Sequence, residues 1–327
     1  MHQKALYNAV KTPKLLVLLG LVICLFTACY EKAATSKNVF SYNEATGIAT
    51  LDPAFAKNQS IMWAVHQIYN TLVEIDSNLN IVPSLAKSWE VSEDRKTYRF
   101  HLRTNVYFTP DEAFKGGNGR KLVASDVAYS LGRIIDKTVA SSGAWIFNGR
   151  VDSVMPFVVI NDSTFELRLQ RPFHPIMGIL STQYCSVVPK EVVEKYGKDF
   201  RRHPCGTGPF LLKSWDEGEA MILHKNKNYW ELDSAGVRLP YLDAVKINFF
   251  DNKATEFLQF RQGKLSFVND IDASFKDEIL TKNGTLRKDW EGKIQLLKHP
   301  YLNTEYFGIV VDTNNVITKG AATRYTL

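Results

Sequence analysis

Tyr98-Arg99-Phe100-His101-Leu102-Arg103 alternates apolar and polar side chains without a break. Successive side chains of a strand point to opposite faces, so this stretch predicts a strand with one buried and one wet face. Phe165, Leu167 and Leu169 repeat the pattern after an Asn161-Asp162 turn. Phe210–Trp215 and Ala220–His224 flank Asp216-Glu217-Gly218, the turn chemistry of a hairpin. Further strands are expected over Asn38–Ala45, Val245–Phe250 and Tyr306–Val311. Elsewhere the apolar spacing is helical. Ile61, Val65, Ile68, Tyr69 and Leu72 predict a helix within Ser60–Val73. Ser125 is expected to cap a helix running to Ile135, with Asp126 in the first turn, where the helix dipole favours an acid. Ala254–Arg261 reads as a short helix. Strands and helices in this order, without strict alternation, point to a mixed α/β (α+β) architecture. At 45% hydrophobic and 23% charged, the 327 residues exclude a disordered or collagen-like chain.

The N-terminus reads as an address. Residues 1–14 are polar and basic, Leu15–Phe26 is a 12-residue apolar run, and Phe26-Thr27-Ala28-Cys29 ends it with small residues before a cysteine. Twelve residues are too few to span a bilayer, which needs about 20. The order of basic, apolar and small-residue regions is that of a secretory signal over residues 1–28. Ala28-Cys29 resembles a bacterial lipobox, in which cleavage leaves a lipid-bearing cysteine. Two acyl chains would hold the protein stably on a membrane. Residues 29–37 read as a polar tether. The formal charge of +6 includes Lys4, Lys11 and Lys14, and loss of the signal leaves +3, weak grounds for a nucleic-acid partner. Beyond the signal and Cys29, only Cys185 and Cys205 remain. An oxidising compartment permits a bridge between them, worth about 3 kcal/mol, and this bridge is the expectation. Two buried free thiols are the alternative.

The sequence offers no catalytic motif. It lacks His-Glu-x-x-His, Gly-x-Ser-x-Gly, a Walker loop, Gly-x-Gly-x-x-Gly and Cys-x-x-Cys. The seven histidines are scattered and none pair at i,i+4, so no helical metal site and no cofactor are expected. Gly116-Gly117-Asn118-Gly119-Arg120-Lys121 lacks the Ser or Thr of a phosphate loop and reads as a surface loop. The aromatic side chains of Trp63, Trp89, Trp215, Tyr229 and Trp230 read as core.

Several motifs follow one another in a specific order. They are Leu51-Asp52-Pro53, Ile68-Tyr69-Asn70-Thr71-Leu72-Val73, Val82-Pro83-Ser84-Leu85-Ala86-Lys87-Ser88-Trp89 and Ala124-Ser125-Asp126-Val127-Ala128-Tyr129-Ser130. Gly206-Thr207-Gly208-Pro209-Phe210, Lys225-Asn226-Lys227-Asn228-Tyr229-Trp230 and Tyr241-Leu242-Asp243 come later. From about residue 38 to 311 the chain resembles the solute-binding proteins that serve dipeptide and oligopeptide ABC importers. It departs from the family at Phe108-Thr109-Pro110-Asp111, often Phe-His-Asp-Gly, and at Gly263-Lys264-Leu265-Ser266, usually Gly-Glu-Val-Asp. The glycines at 206 and 208 are expected to supply backbone angles that other residues avoid. Pro209 is expected to start a strand where it costs no ladder bond.

The resemblance implies a bilobal, periplasmic-binding-protein-like fold. Here only the first lobe (38–59 and 175–302) and its extra subdomain (60–174) are expected. Residues 303–327 would begin a second lobe that is otherwise missing. The expected role is capture of peptides on the periplasmic side of a bacterial membrane, as a lipid-anchored monomer that is not an enzyme and delivers to an inner-membrane ABC permease. A nickel complex, haem or an oligosaccharide as ligand is the alternative, and a secreted hydrolase the more distant one. The resemblance aligns Glu44, Thr46, Gly47, Ile48 and Ala49 with a cleft-facing stretch whose backbone pairs with ligand backbone. Asn269 and Asp270 align with cleft-lining polar residues. Trp145 is a candidate wall of a side-chain pocket, with core packing as its alternative. With one jaw present, the chain by itself is expected to bind peptide weakly or not at all.

Overall fold

The computed structural model describes residues 38–298, with the backbone of 307–309 and 324–326. The signal, the tether with Cys29, and the expected crossing at 300–303 lie outside the described residues. The strands are β1 (Val39–Asn43), β2 (Val73–Ile75), β3 (Ile81–Pro83), β4 (Ala86–Val91), β5 (Thr97–Leu102) and β6 (Phe157–Asn161), then β7 (Thr164–Arg168), β8 (Phe210–Asp216), β9 (Ala220–Lys225), β10 (Ala244–Asn248), β11 (Phe307–Ile309) and β12 (Arg324–Thr326). The helices are α1 (Gln59–Ile68), α2 (Ala124–Ile135), α3 (Ile176–Leu180), α4 (Lys190–Tyr196), α5 (Lys253–Arg261) and α6 (Ala273–Ile279). The described residues divide into two compact units, one ending at Asn269 and one beginning at Asp270.

The first unit is built on two four-stranded sheets. The alternation at 98–103 becomes β5, the second strand of the antiparallel order β4-β5-β7-β6. Tyr98, Phe100 and Leu102 are buried while Arg99 is exposed. Phe100 sits opposite Phe165 in register, their ring centroids 6.2 Å apart. Both rings are fully excluded from water, which stabilises by about 1.5–3 kcal/mol each. Helix α2 packs on β6 and β7. The other sheet runs β1-β10-β9-β8, with β1 parallel to β10 and the rest antiparallel. Its β8–β9 hairpin turns at Glu217 and Gly218, the latter with φ of 86°. Helix α1 packs on β8, and the buried side chains of both sheets join one apolar cluster.

Several local expectations are corrected. Ser125 is exposed inside α2, and Val123 holds the cap position. Asp126 turns back instead, its carboxylate accepting the Val123 N–H at 2.9 Å while Arg120 grips it at 2.6 Å. Helix α1 stops at Ile68 instead of continuing toward Val73. Tyr69 is extended, and the Ile68 carbonyl accepts the Gly208 N–H at 2.9 Å. That approach also explains the two glycines. Neither has positive φ, but a Cβ on Gly206 would lie 2.1 Å from the Ile68 oxygen and one on Gly208 2.5 Å from the Ile68 carbonyl carbon. Absence of a side chain, and not backbone freedom, is what those positions require.

The expected disulfide is not formed: Cys185 and Cys205 are both free and buried. Cys205 donates to the Thr109 carbonyl at 3.2 Å. Burial pushes both thiols up to about 12, so neither supplies the thiolate that exchange needs. Within 303–327, strand β12 pairs antiparallel with β11. Three residues are too few for periodicity to reveal such a strand. In the second unit Asp272 caps α6 by accepting the Ser274 N–H at 2.8 Å, and Trp290 donates to the Glu278 carbonyl at 3.1 Å.

Candidate functional site

Strand β1 ends at Asn43, whose amide exchanges two hydrogen bonds with the Phe250 backbone, at 3.0 and 2.7 Å. Glu44 adds a last sheet-like bond to the Asn248 carbonyl at 2.8 Å. The chain then turns: the Gly47 N–H returns to the Glu44 carbonyl at 3.0 Å, with φ of 66° at Gly47. The Thr46 hydroxyl donates to the Glu44 carboxylate at 2.9 Å. Ile48 is buried and pins the segment to the core. On the far side Arg201 holds the chain twice, its carbonyl accepting the Leu51 N–H at 2.9 Å and its guanidinium reaching the Ala49 carbonyl at 3.3 Å. Between these fixings, among the described residues, the N–H and C=O of Ile48 and the N–H of Ala49 pair with no other backbone group. The segment is therefore fixed at both ends, and its Ile48 and Ala49 groups take no part in the backbone pairing around it.

Arg201 and Arg202 share the Glu217 carboxylate, at 2.9 and 2.6 Å, and hold it below the usual carboxylate range. Both guanidinium groups lie over the Trp215 ring. The expected core position of Trp215 is observed, and the ring doubles as a support for the two arginines beneath the Ala49 carbonyl.

A depression of about 510 Å³ opens along α1. Met62 and Trp63 give it an apolar lining, and Lys57, Gln59 and Gln67 a polar one. His66 Nδ1 and Gln183 Nε2 meet beside them at 3.2 Å. Trp63 packs edge-on against Tyr42 of β1 at 6.0 Å and against Phe267 at 6.3 Å. The sequence assigns Trp63 to the core, and the structure has it half-buried, packed against the core cluster while it also lines the depression. The missed signal is a Met-Trp pair that lies outside the apolar stripe of Ile61, Val65 and Ile68 on an otherwise regular amphipathic helix.

The remaining candidates are dispersed. Ser266 covers the open edge of β1, donating its N–H to the Ser41 carbonyl at 2.6 Å and accepting the Ser41 N–H on its hydroxyl at 3.1 Å. Phe267 stacks on Phe40, so the segment leading to Asn269 runs along β1. Asn269 closes the first unit and Asp270 opens the second, both exposed, Asp270 with φ of 66°. Trp145 is 63% exposed, which excludes core packing, and its carbonyl accepts from Arg150 at 2.7 Å. Arg120, in the glycine-rich loop, is fully engaged by Asp126 and Glu191. Among the described residues no three His, Cys, Asp or Glu side chains converge as metal ligands, and no helix is long and apolar enough to cross a membrane.

The family motifs meet around Asn70. Its side-chain oxygen accepts from Thr207 at 3.0 Å and from the Trp230 indole at 3.2 Å, and its amide donates to the Tyr229 hydroxyl at 3.3 Å. The family model described as bacterial extracellular solute-binding proteins, family 5 Middle, matches residues 80–318. The probable ABC transporter periplasmic-binding protein SapA of Escherichia coli K12 is 31% identical over 66% of this chain and 42% of its own length. The dipeptide-binding protein DppE of Bacillus subtilis is 24% identical over 88% of this chain and 54% of its own. Among solved structures, DppA of Helicobacter pylori in complex with peptide STSA superposes with a TM-score of 0.66 and 26% identity, over 74% of this chain and 48% of that one. HbpA2 of Haemophilus parasuis gives a TM-score of 0.70 at 25% identity, over 83% and 53%. The chain spans about half the length of the curated relatives it matches.

Proposed function

Because this chain belongs to the bacterial extracellular solute-binding proteins of family 5, we propose that it captures peptides outside the cytoplasm and delivers them to an ABC importer. Its mixed α/β fold is part of a bilobal periplasmic-binding-protein architecture, shared over about half of each matching chain. In this reading residues 38–59 and 175–302 form the first lobe and 60–174 its extra subdomain. Cys29 carries the lipid that tethers the protein to the membrane. Ligand would lie between lobes and be trapped by hinge closure.

The observation that carries the peptide reading is the Ile48–Ala49 backbone, fixed without backbone partners of its own between the Gly47 turn and Arg201. An extended peptide gains its affinity from such main-chain groups, whatever its side chains are. Water in side-chain pockets then adapts to different residues at small cost. Glu44 and Asp270 are the acids in the candidate set that would receive a ligand ammonium. Binding, and not bond cleavage, fits a set with no paired nucleophile and base.

The test compares a tripeptide with its copy N-methylated at the central residue, by ligand-observed saturation-transfer NMR, which reads weak binding by this chain alone. Methylation removes one donor and is expected to weaken binding by roughly tenfold, the worth of a main-chain bond that must be made. Equal binding of the two peptides would remove backbone pairing as the basis of recognition.

A further inference from the structure

We propose that the depression beside Trp63 takes a carboxylate carried by the bound ligand, with Lys57 as its countercharge and the indole as its apolar wall. The inference rests on the peptide-binding reading above and names the chemistry one part of the ligand would carry.

The lining decides the sign of the charge. Lys57, Gln59, Gln67 and the His66–Gln183 pair contribute a cation, amides and an imidazole, and no Asp or Glu lines the depression. A cationic ligand group would face the Lys57 ammonium with only amide oxygens to accept from it. An apolar group would strip water from Lys57 and the glutamines and return no hydrogen bond. A carboxylate on a short methylene stem matches both halves: the stem lies on Met62 and Trp63, and the oxygens accept from Lys57 and an amide N–H. Trp63 is already fixed from behind by Tyr42 and Phe267, so this wall loses no rotamer freedom when ligand arrives. Lys57 directly precedes Asn58, whose side chain caps α1 at the Ile61 N–H, 3.2 Å away, so the cation hangs from a fixed backbone. At about 510 Å³ the space exceeds one carboxylate side chain and leaves room for bridging water.

Trp63 packs on Tyr42 of β1, the strand that leads into the Glu44–Ala49 segment. A ligand paired with Ile48 and Ala49 could therefore carry its acid either as a side chain or as its own C-terminus.

The experiment uses the full chain with its six tryptophans labelled at the indole nitrogen. Four tripeptides are titrated: Ala-Glu-Ala-amide, Ala-Gln-Ala-amide, Ala-Lys-Ala-amide and Ala-Ala-Ala as the free acid. The Trp63 signal, assigned by its loss in Trp63→Phe, is expected to move with the Glu peptide at roughly fivefold tighter affinity than with the Gln peptide, the scale of one partly exposed ion pair. The Lys peptide is expected to be weakest, and Lys57→Glu should invert the order of the Glu and Lys peptides. Saturation transfer to the peptides reads the same order without Trp63→Phe, and Lys57 is exposed, so its replacement leaves the core intact. If the free acid moves Trp63 as far as the Glu peptide, the carboxylate is the ligand's C-terminus; if only the Glu peptide does, it is a side chain. Equal affinity for all four peptides, or an order unchanged by Lys57→Glu, would overturn this inference and leave the peptide reading standing. Absence of binding by every peptide would overturn this inference.

Discussion

Glu166 shows how far single residues can be read. It lies in the alternating strand β7, buried, with Arg99 at 2.7 Å and Arg168 at 2.9 Å on its two oxygens. Burial raises its carboxyl pKa, but the hydrogen bonds from Arg168 and Arg99 outweigh this and hold it below the usual range. A carboxyl depressed in the folded state stabilises above its unfolded pKa, about 4.3, and that contribution fades as pH falls through the folded value. Glu166→Gln should therefore cost about 1 kcal/mol at pH 7, kept small because both arginines stay half in water. The gap between wild-type and variant urea midpoints should close as pH drops below about 4. A gap independent of pH would mean the packing of the side chain, and not its charge, is what matters. The sequence shows the strand and its faces here. It cannot show that an acid on the face away from Phe165 and Leu167 is buried and matched by two arginines, because its pairing with Arg99 depends on register with β5. Asp52 is a similar case. The Leu-Asp-Pro motif is plain in the sequence, but its partner Arg133, bound at 2.9 and 2.7 Å, lies 81 residues away.

At the scale of elements, motif order was legible and the reason for it was not. Gly206 and Gly208 are needed because the 206–208 segment runs directly against the end of α1. Gly208→Ala should lower stability by about 1–3 kcal/mol, the cost of forcing a methyl into backbone that cannot retreat. Urea denaturation should show a lower midpoint with an unchanged slope. Gly178→Ala in α3 has open space around its Cβ and should be neutral or stabilising. If the two variants behave alike, close approach at Ile68 is not the constraint. Strand β5 follows from periodicity because it buries a single face, β7 follows from its Phe165 and Leu167 alternation, and β8 and β9 follow from the turn residues between them. The end of α1 does not, since Tyr69 and Leu72 continue the helical spacing while long-range bonds from Gly208 and Val187 pull the chain into an extended path. The cap of α2 fails for a related reason: Asp126 is drawn toward Arg120 and closes the turn from inside the helix.

For the whole molecule, the address at the N-terminus and the ordered motifs carry the functional reading together. Cys29→Ser should move the protein from the membrane to the soluble extracytoplasmic fraction of the producing cell, because loss of the acyl chains removes the anchor. Retention on the membrane after extraction with salt would remove the lipid tether from the proposal. The sequence by itself determined the mixed α/β class and the family, and it marks out the export signal and the segment after β1 that the proposal uses. These are local patterns, or orders of local patterns, and one chain displays them in full. Only the tertiary structure decided that Cys185 and Cys205 remain thiols, that Trp145 faces solvent, and that Trp63 lines a depression lacking acids. Each of those depends on which distant residues become neighbours, and a side chain's surroundings are set by contacts that sequence spacing does not contain.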